Sequence, residues 1–324
     1  MLSVVTGGAG FIGSHLSEHL AKTGREVRVL DNFKSGKIEN LRWAENYRNV
    51  NIIRGDCTNP DDLEETLEGA EEVYHLAANP EVRLELNDPS ECYRQNVYAT
   101  FLLLESIRSR PIKKIAFTSS STVYGDANQK PTPEDYFPLD PISVYGGSKL
   151  ACEAMFTSYC NMFGKTGVIF RPANVVGPRS THGVLLDFAR RLRENPRELA
   201  IFGDGTQEKS YIHIDDCVKA ITLATGEATG GVETYNLGSR DQINVKRIAE
   251  LLIDSMGLQD VKTKFLQTTE GGRGWPGDVK SMWLDMTKME ELGFLPKWNS
   301  AEAISLTIRS LVNATPLEEP IPRV

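Results

Sequence analysis

Tyr145 and Lys149 stand four residues apart in Tyr145-Gly146-Gly147-Ser148-Lys149, a spacing that puts both side chains on one face of a helix, about one turn from each other. A free tyrosine titrates near ~10 and is a poor base at neutral pH. An ammonium one turn away favours the phenolate, which can then take a proton from a hydroxyl. Upstream, Ser119-Ser120-Ser121-Thr122-Val123-Tyr124-Gly125 closes a strand-like run and offers hydroxyls able to orient a substrate oxygen. Tyr and Lys at this spacing are common by chance, as a surface tyrosine beside a solvated lysine, so the weight of the pair depends on what else the chain brings.

Thr6-Gly7-Gly8-Ala9-Gly10-Phe11-Ile12-Gly13-Ser14 follows the first strand-like run and opens a helical one, with Gly7, Gly10 and Gly13 spaced GxxGxxG. Such a turn lets the backbone approach a pyrophosphate, and the helix N-terminus aims unpaired N–H groups and a partial positive charge at it. Asp31 ends the second run, where a carboxylate accepts hydrogen bonds from both ribose hydroxyls of a dinucleotide. Asn32 and Phe33 include no arginine to welcome a 2′-phosphate, which favours NAD over NADP, with Lys34 the nearby cation. Asp56, in Gly55-Asp56-Cys57, closes the third run as a contact for the adenine amine, with Cys57 beside it. Leu76-Ala77-Ala78 closes the fourth with small residues that leave room beside a sheet. A positively charged nicotinamide ring would join Lys149 in favouring the Tyr145 phenolate.

These positions need a scaffold. Short β-branched runs at residues 2–6, 26–31, 50–55, 72–76, 113–119 and 167–171 alternate with amphipathic stretches, the pattern of βαβ units and a parallel sheet. Helical spacing is carried by Leu102, Leu103, Ser106 and Ile107 after Asn96, and by Ala151, Met155, Tyr159 and Met162 after Tyr145. The expected fold is therefore α/β, a Rossmann-type doubly wound parallel sheet. Beyond Arg171 proline and glycine punctuate the chain, and helices are expected near 216–225, 245–256 and 301–313, forming a smaller, interleaved C-terminal α/β lobe. The proline-rich tail at 316–322 is expected to be irregular.

Composition narrows the function classes. The chain has 324 residues, 25% charged and 40% hydrophobic, which excludes disordered, collagen-like and coiled-coil readings and allows roughly two domains. Lys plus Arg is 36 against Asp plus Glu at 44, a net charge of −8, so no nucleic-acid partner is expected. Five cysteines without a CxxC pair fit neither a disulfide framework nor a structural zinc site. No uncharged apolar run approaches the ~18 residues of a membrane span, and the chain opens into a strand rather than a cleavable apolar leader. A cytoplasmic protein with no membrane partner is expected.

Other features receive plain readings. His15 and His19 are spaced i, i+4 with no matching carboxylate motif and read as packing, so no metal is expected. Gly203 to Ser210 resembles a phosphate-binding GxxxxGK[ST] loop, but Glu208 occupies the required glycine, and no GxSxG elbow occurs. Asp215 or Asp216, beside His213, is expected to cap the following helix. Asn313-Ala314-Thr315 is a chance glycosylation sequon.

Taken together, GxxGxxG, Asp31, Leu76-Ala77-Ala78, the serine-rich run, the Tyr145/Lys149 pair, Arg171-Pro172-Ala173-Asn174, Gly203-Asp204-Gly205-Thr206-Gln207 and Leu292-Gly293-Phe294-Leu295-Pro296 resemble the extended short-chain dehydrogenase/reductase family. Within it they look like the nucleotide-sugar epimerases, over nearly the whole chain. The resemblance implies NAD, held by Gly7, Gly10, Phe11, Ile12, Gly13, Asp31, Asn32, Ser35, Gly36, Asp56, Cys57, Leu76, Ala77, Ala78, Asn96, Tyr145, Lys149 and Pro172. It implies Tyr145 as base, Lys149 as ribose ligand and tuner of the tyrosine, Ser120 as the hydroxyl on the sugar O4, and Asn96 as a backbone anchor of the active-site helix. A UDP-sugar would meet Ser120, Tyr145, Asn174, Val184, Leu185, Ile201, Lys209 and Arg273. The implied reaction inverts C4, interconverting UDP-glucose and UDP-galactose through a 4-keto sugar with tightly bound NAD.

The resemblance further implies an NAD-binding domain of residues 1–172 plus about 209–238, a nucleotide-sugar domain of about 173–208 plus 239–324, and a homodimer formed through a four-helix bundle of the helices near 96–108 and 146–162. Departures from the family pattern are specific. Lys209 replaces a diphosphate-binding arginine and is followed by Ser210 where Asp is usual; Trp275 fills the slot of another arginine, with Arg273 two residues upstream; Asn79-Pro80-Glu81 replaces a lysine-bearing segment. A 4,6-dehydratase would need an Asp-Glu pair where Ser121-Thr122 stand. Epimerisation of a UDP-N-acetylhexosamine or of UDP-glucuronate remains open, since the size-selecting position falls near Met282. A non-catalytic NAD-binding regulator would have no need of Ser120, Tyr145 and Lys149 together.

Overall fold

The computed structural model describes residues 1–80 and 88–313; Glu81 of the Asn79-Pro80-Glu81 segment, the Ala314 and Thr315 positions of the sequon and the 316–322 tail lie outside them. In chain order the first half runs β1 (Leu2–Thr6), α1 (Phe11–Lys22), β2 (Glu26–Asp31), β3 (Val50–Arg54), α2 (Pro60–Leu67), β4 (Glu72–His75), α3 (Pro89–Cys92), α4 (Ala99–Arg108), β5 (Lys114–Thr118), α5 (Val144–Phe163) and β6 (Thr166–Pro172). The second half runs β7 (Asn174–Val176), α6 (Val184–Glu194), β8 (Glu198–Phe202), β9 (Glu208–Lys209), β10 (Tyr211–His213), α7 (Ile214–Glu227), β11 (Val232–Leu237), β12 (Ile243–Asn244), α8 (Val245–Ser255), β13 (Lys262–Leu266), β14 (Ser281–Met282), α9 (Thr287–Glu291) and α10 (Ser300–Asn313).

Among the described residues, seven strands form one parallel sheet in the order β11-β6-β5-β4-β1-β2-β3. The six strands expected from the sequence are all in it. The seventh, β11, pairs along β6 from Val232 opposite Gly167 to Leu237 opposite Pro172. Because successive side chains point to opposite faces, Val5, Val29, Tyr74 and Phe170 pack with α1 and α7 on one side, while Val4, Leu30, Val73 and Ile169 pack with α2, α4 and α5 on the other. Both faces are covered, which is why the strands read as near-continuous apolar runs. Each large side chain so buried contributes about 1.5–3 kcal/mol.

The order reverses between β1 and β4: later strands add on one side, β2 and β3 on the other. That switch point opens a crevice outside the carboxyl ends of the strands, where ligands bind in open α/β sheets. Small sheets, β10-β7, β12-β9-β14 and β13-β8, lie in the second half, where α6, α8 and α10 share a separate apolar core with Leu199 and Ile201 of β8. No helix among the described residues is long and apolar enough to cross a membrane.

Two local details differ from expectation. The helical stretch around Asn96 is not regular, because Tyr93–Tyr98 forms a π-turn between α3 and α4. The cap of α7 is His213 rather than Asp215 or Asp216: its Nδ1 accepts from the Asp215 N–H at 3.3 Å. Asp216 instead accepts from the backbone of Lys297 and Trp298, at 2.7 and 3.3 Å, tying α7 to the segment before α10.

Candidate active site

Gly7, Gly10 and Gly13 come together at the end of β1. A Cβ on Gly13 would sit 2.2 Å from the Gly7 carbonyl oxygen and 2.8 Å from Gly8 Cα, and one on Gly7, whose φ is +69°, would sit 2.7 Å from the Ala77 nitrogen. The turn therefore fits only without side chains, pressed against Leu76-Ala77 at the end of β4. Gly10 caps α1 with no side-chain bond, and no acidic residue occupies the first helical turn, so the first N–H groups, including those of Phe11 and Ile12, have no partner within the helix. The result is a backbone cradle suited to an anion.

Asp31 lies beside it. Its carboxylate accepts from the Ala9 N–H at 2.9 Å and the Phe33 N–H at 2.8 Å; burial pushes its pKa up, and backbone bonds from Phe33, Ala9 and Gly10 pull against that shift. Vicinal hydroxyls would relieve the same desolvation, which is the fit a ribose needs. A Cβ on Gly36 would sit 2.8 Å from Asp31 Oδ1, so this loop position admits no side chain beside the carboxylate, and Ser35 precedes it. Asn32 Nδ2 donates to Asp56 at 2.9 Å, and Asp56 also accepts from the Thr58 N–H and hydroxyl at 2.9 and 2.7 Å. Cys57 is buried in the core below, where burial pushes its thiol up to about 12. Leu76, Ala77 and Ala78 line the crevice half-buried. These residues fit a dinucleotide laid across the switch point.

The second cluster sits at the end of β5. Ser143 caps α5, accepting from the Gly146 N–H at 3.0 Å, so Tyr145 and Lys149 both fall in its first two turns. The Lys149 ammonium is buried, donates to the Thr118 carbonyl at 2.9 Å, and lies 5.8 Å from the Tyr145 ring centroid and 5.0 Å from that of Phe117. Burial pushes its pKa down. Ser120 caps the short turn Ser121–Tyr124, its Oγ accepting from the Thr122 N–H at 3.2 Å and hydroxyl at 2.9 Å. The buried Asn96 accepts from the Asn79 N–H at 2.7 Å and donates to Ser148 Oγ at 2.9 Å, locking the π-turn to α5. Pro172 closes β6 on the same edge. A phenol, a buried ammonium 5.8 Å from its ring and a hydroxyl two residues past that ammonium's acceptor are thus gathered near the end of β5.

On the far side of the crevice Asn174 begins β7, its Nδ2 donating to the Ser210 carbonyl at 3.3 Å. Lys209 pairs with the buried Asp278 at 2.5 Å, and Arg273 forks onto Asp126 at 3.1 and 2.6 Å while donating to the Asp278 carbonyl at 2.6 Å. Two cations flank one wall, each held by a carboxylate. Val184 is half-buried at the start of α6, whereas the Leu185 and Ile201 side chains belong to the apolar core of the second half. Ser210, at the position where Asp is usual, is buried and bridges to Ser239, accepting from its N–H at 2.9 Å. Met282 is buried in β14, opposite Lys209 of β9. Sequence reasoning passed over Asp126, Asp278 and Glu153, and named Ser119 only within the serine-rich run. Glu153 alone carried a local signal, one turn beyond Lys149.

Residues 3–238 match the NAD dependent epimerase/dehydratase family. The UDP-glucose 4-epimerase of Mycolicibacterium smegmatis is 34% identical over 320 residues, covering 97% of this chain and 99% of the relative. A crystal structure of a UDP-galactose 4-epimerase superposes with a TM-score of 0.84 at 39% identity, over 96% of this chain and 98% of that one. The UDP-glucuronic acid 4-epimerase of Bacillus cereus, in complex with UDP-glucuronic acid and NAD, superposes with a TM-score of 0.87 at 30% identity, over 96% and 100%.

Proposed function

This chain belongs to the NAD dependent epimerase/dehydratase family, and on that premise we propose that it interconverts UDP-glucose and UDP-galactose by inverting C4 of the hexose. The observation that carries the reading is the buried Lys149 ammonium, 5.8 Å from the Tyr145 ring and bonded to the end of β5, with Ser120 two residues beyond its acceptor. The Tyr145 phenolate, favoured by that charge, takes the proton from the sugar O4; Ser120 Oγ donates to the same oxygen and aligns it. The glycine turn and Asp31 would hold NAD, which would supply the acceptor of the C4 hydrogen and its donor on return, so that the sugar would pass through a 4-keto form with no net redox change. Tyr145 then gives its proton back to O4 of the inverted sugar.

Lys209 and Arg273 receive the diphosphate once it displaces Asp278 and Asp126, Lys209 as a point charge and Arg273 as a planar fork. Asn174 also meets the diphosphate, and the half-buried start of α6 holds the rest of the nucleotide. Ser121 and Thr122, in place of an acidic pair, weigh against a dehydratase. We place the nucleotide-sugar domain at about 173–208 plus 239–324 and the NAD-binding domain in the remainder. We also propose a homodimer through α4 and α5, supported by Tyr98, Phe101 and Met162, which are 40%, 38% and 79% exposed; sedimentation should give twice the chain mass, and a monomer at micromolar concentration would overturn this.

The experiment for the function is incubation of the purified protein, without added NAD, with UDP-galactose, UDP-N-acetylglucosamine and UDP-glucuronate in parallel, followed by separation of the sugars. UDP-galactose should convert fastest and Tyr145→Phe should abolish it. Faster conversion of either of the others would reassign the substrate.

A further inference from the structure

Glu153 lies on α5 one turn after Lys149 and is 5% exposed. Its Oε1 accepts from Ser119 Oγ at 2.5 Å and from Arg171 Nε at 3.0 Å, and its Oε2 from Arg171 Nη2 at 2.6 Å. Arg171, on β6 and 6% exposed, goes on to donate to Tyr124 Oη at 3.0 Å and to the Glu134 carbonyl at 2.9 Å. Tyr124 in turn donates to Asn236 of β11 at 2.7 Å. Helix α5 is therefore pinned to the end of β5 at two consecutive residues, Lys149 to Thr118 and Glu153 to Ser119. The arginine fixes the other end of that carboxylate to the turn after Ser120. Tyr145 stands in the first turn of α5, whose start Ser143 caps, and Ser120 follows Ser119 directly, so both pins bear on the separation of base and hydroxyl.

We propose that Glu153 is a positioning residue: through Ser119 and Arg171 it sets the rotation of α5 against the Ser119–Tyr124 turn, and so the alignment of Tyr145 with Ser120. It touches neither substrate nor the reacting atoms. The inference rests on the catalytic reading above, and an apolar replacement can separate alignment from mere stability. A buried carboxylate removed alone leaves an uncompensated arginine, whereas replacing both partners by apolar groups is far better tolerated.

The test compares Glu153→Gln with the double variant E153L/R171M. The single variant should lower both Tm and kcat. The double variant should regain at least half of the lost Tm while kcat stays at least ~10-fold down and KM stays within about threefold, since nucleotide contacts lie elsewhere. Amide exchange at residues 119–124 should be faster in the double variant, with the rest of the sheet unchanged. A kcat that returns with Tm overturns the proposal, and so does wild-type exchange at 119–124. If the wild-type chain turns over no nucleotide sugar, the catalytic reading fails by itself, and the exchange measurement still decides whether Glu153 pins the turn.

Discussion

Replacing Lys149 by Met separates the needs of folding from those of catalysis. The ammonium is 3% exposed and donates one hydrogen bond to the protein that the structure shows, to the Thr118 carbonyl. Glu153, the carboxylate one turn further along α5, is already committed to Arg171 and Ser119. Desolvating an unpaired ammonium costs several kcal/mol, set against about 1.5–3 kcal/mol for a charged hydrogen bond and about 1 kcal/mol from the face of Phe117. Met fills a similar volume and keeps a sulfur–aromatic contact worth about 1 kcal/mol. Lys149→Met should thus be between neutral and about 2 kcal/mol more stable than wild type in the absence of nucleotide, a rise in Tm of up to about 4 °C in a chain of this size.

The sign follows from linkage. Burial lowers the folded-state pKa of Lys149 from the usual 10.5, so its favourable contribution exists above that value and is lost as pH falls through the lowered one. The penalty is present at neutral pH, and the gain from Met should fade toward pH 10. Activity should fall by at least ~10³, because the phenolate loses its favouring charge. The assay is calorimetry of nucleotide-stripped protein at pH 7 and pH 10, with conversion of UDP-galactose measured beside it. A Tm lowered by more than about 3 °C, or activity within tenfold of wild type, would refute the reasoning.

His75 is fully buried between Thr6 Oγ1 at 2.7 Å and Thr100 Oγ1 at 3.0 Å, and burial, aided by the Lys149 charge, pushes it down to about 3. Below its usual 6.5 the unfolded chain takes up a proton that the folded one refuses, so stability is lost as pH falls; His75→Gln should shrink the loss measured by urea titration between pH 7 and pH 5 by about 2 kcal/mol, and an equal loss in both proteins would contradict neutral burial. Gly13→Ala drives a Cβ to 2.2 Å from the Gly7 carbonyl; it should cost about 1–3 kcal/mol and lower the NAD retained per chain after loading and desalting relative to wild type, read from the nucleotide released on denaturation, and an undiminished NAD content would count against the glycine cradle. Arg273→Met should weaken UDP binding about tenfold by calorimetry, the low end for a charged hydrogen bond because Asp126 must first be displaced. Unchanged affinity would move the diphosphate elsewhere.

The scaffold was legible wherever it is local. Strands β1 to β6 follow from short β-branched runs between turn residues, and the glycine turn with Asp31 follows from spacing alone. Residues 232–237 lie some 60 residues past β6, and nothing in their own pattern says that Val232–Leu237 completes the same sheet. The π-turn at Tyr93–Tyr98 exists because Asn96 is drawn inward to Ser148 and Asn79, a tertiary demand that overrides helical periodicity. Asp126 and Arg273 meet across 147 residues, and charge pairing at that range leaves no trace in sequence. Leu185 and Ile201 sit in a motif-bearing region, yet their apolar side chains are taken by the core of the second half. The cap of α7 falls to His213 because the helix begins at Ile214, which places Asp215 and Asp216 inside its first turn, where Asp216 is held by the backbone of Lys297 and Trp298.

Tyr145 and the bound dinucleotide are expected to reverse one C4 centre without exchanging its hydrogen. UDP-galactose carrying deuterium at C4, converted in ordinary water with excess unlabelled NADH present, tests it most directly. The expected product is UDP-glucose that keeps the deuterium at C4, with none in the solvent or in the NADH pool, and no conversion by Tyr145→Phe. Deuterium lost to water, or diluted by the added NADH, would contradict it.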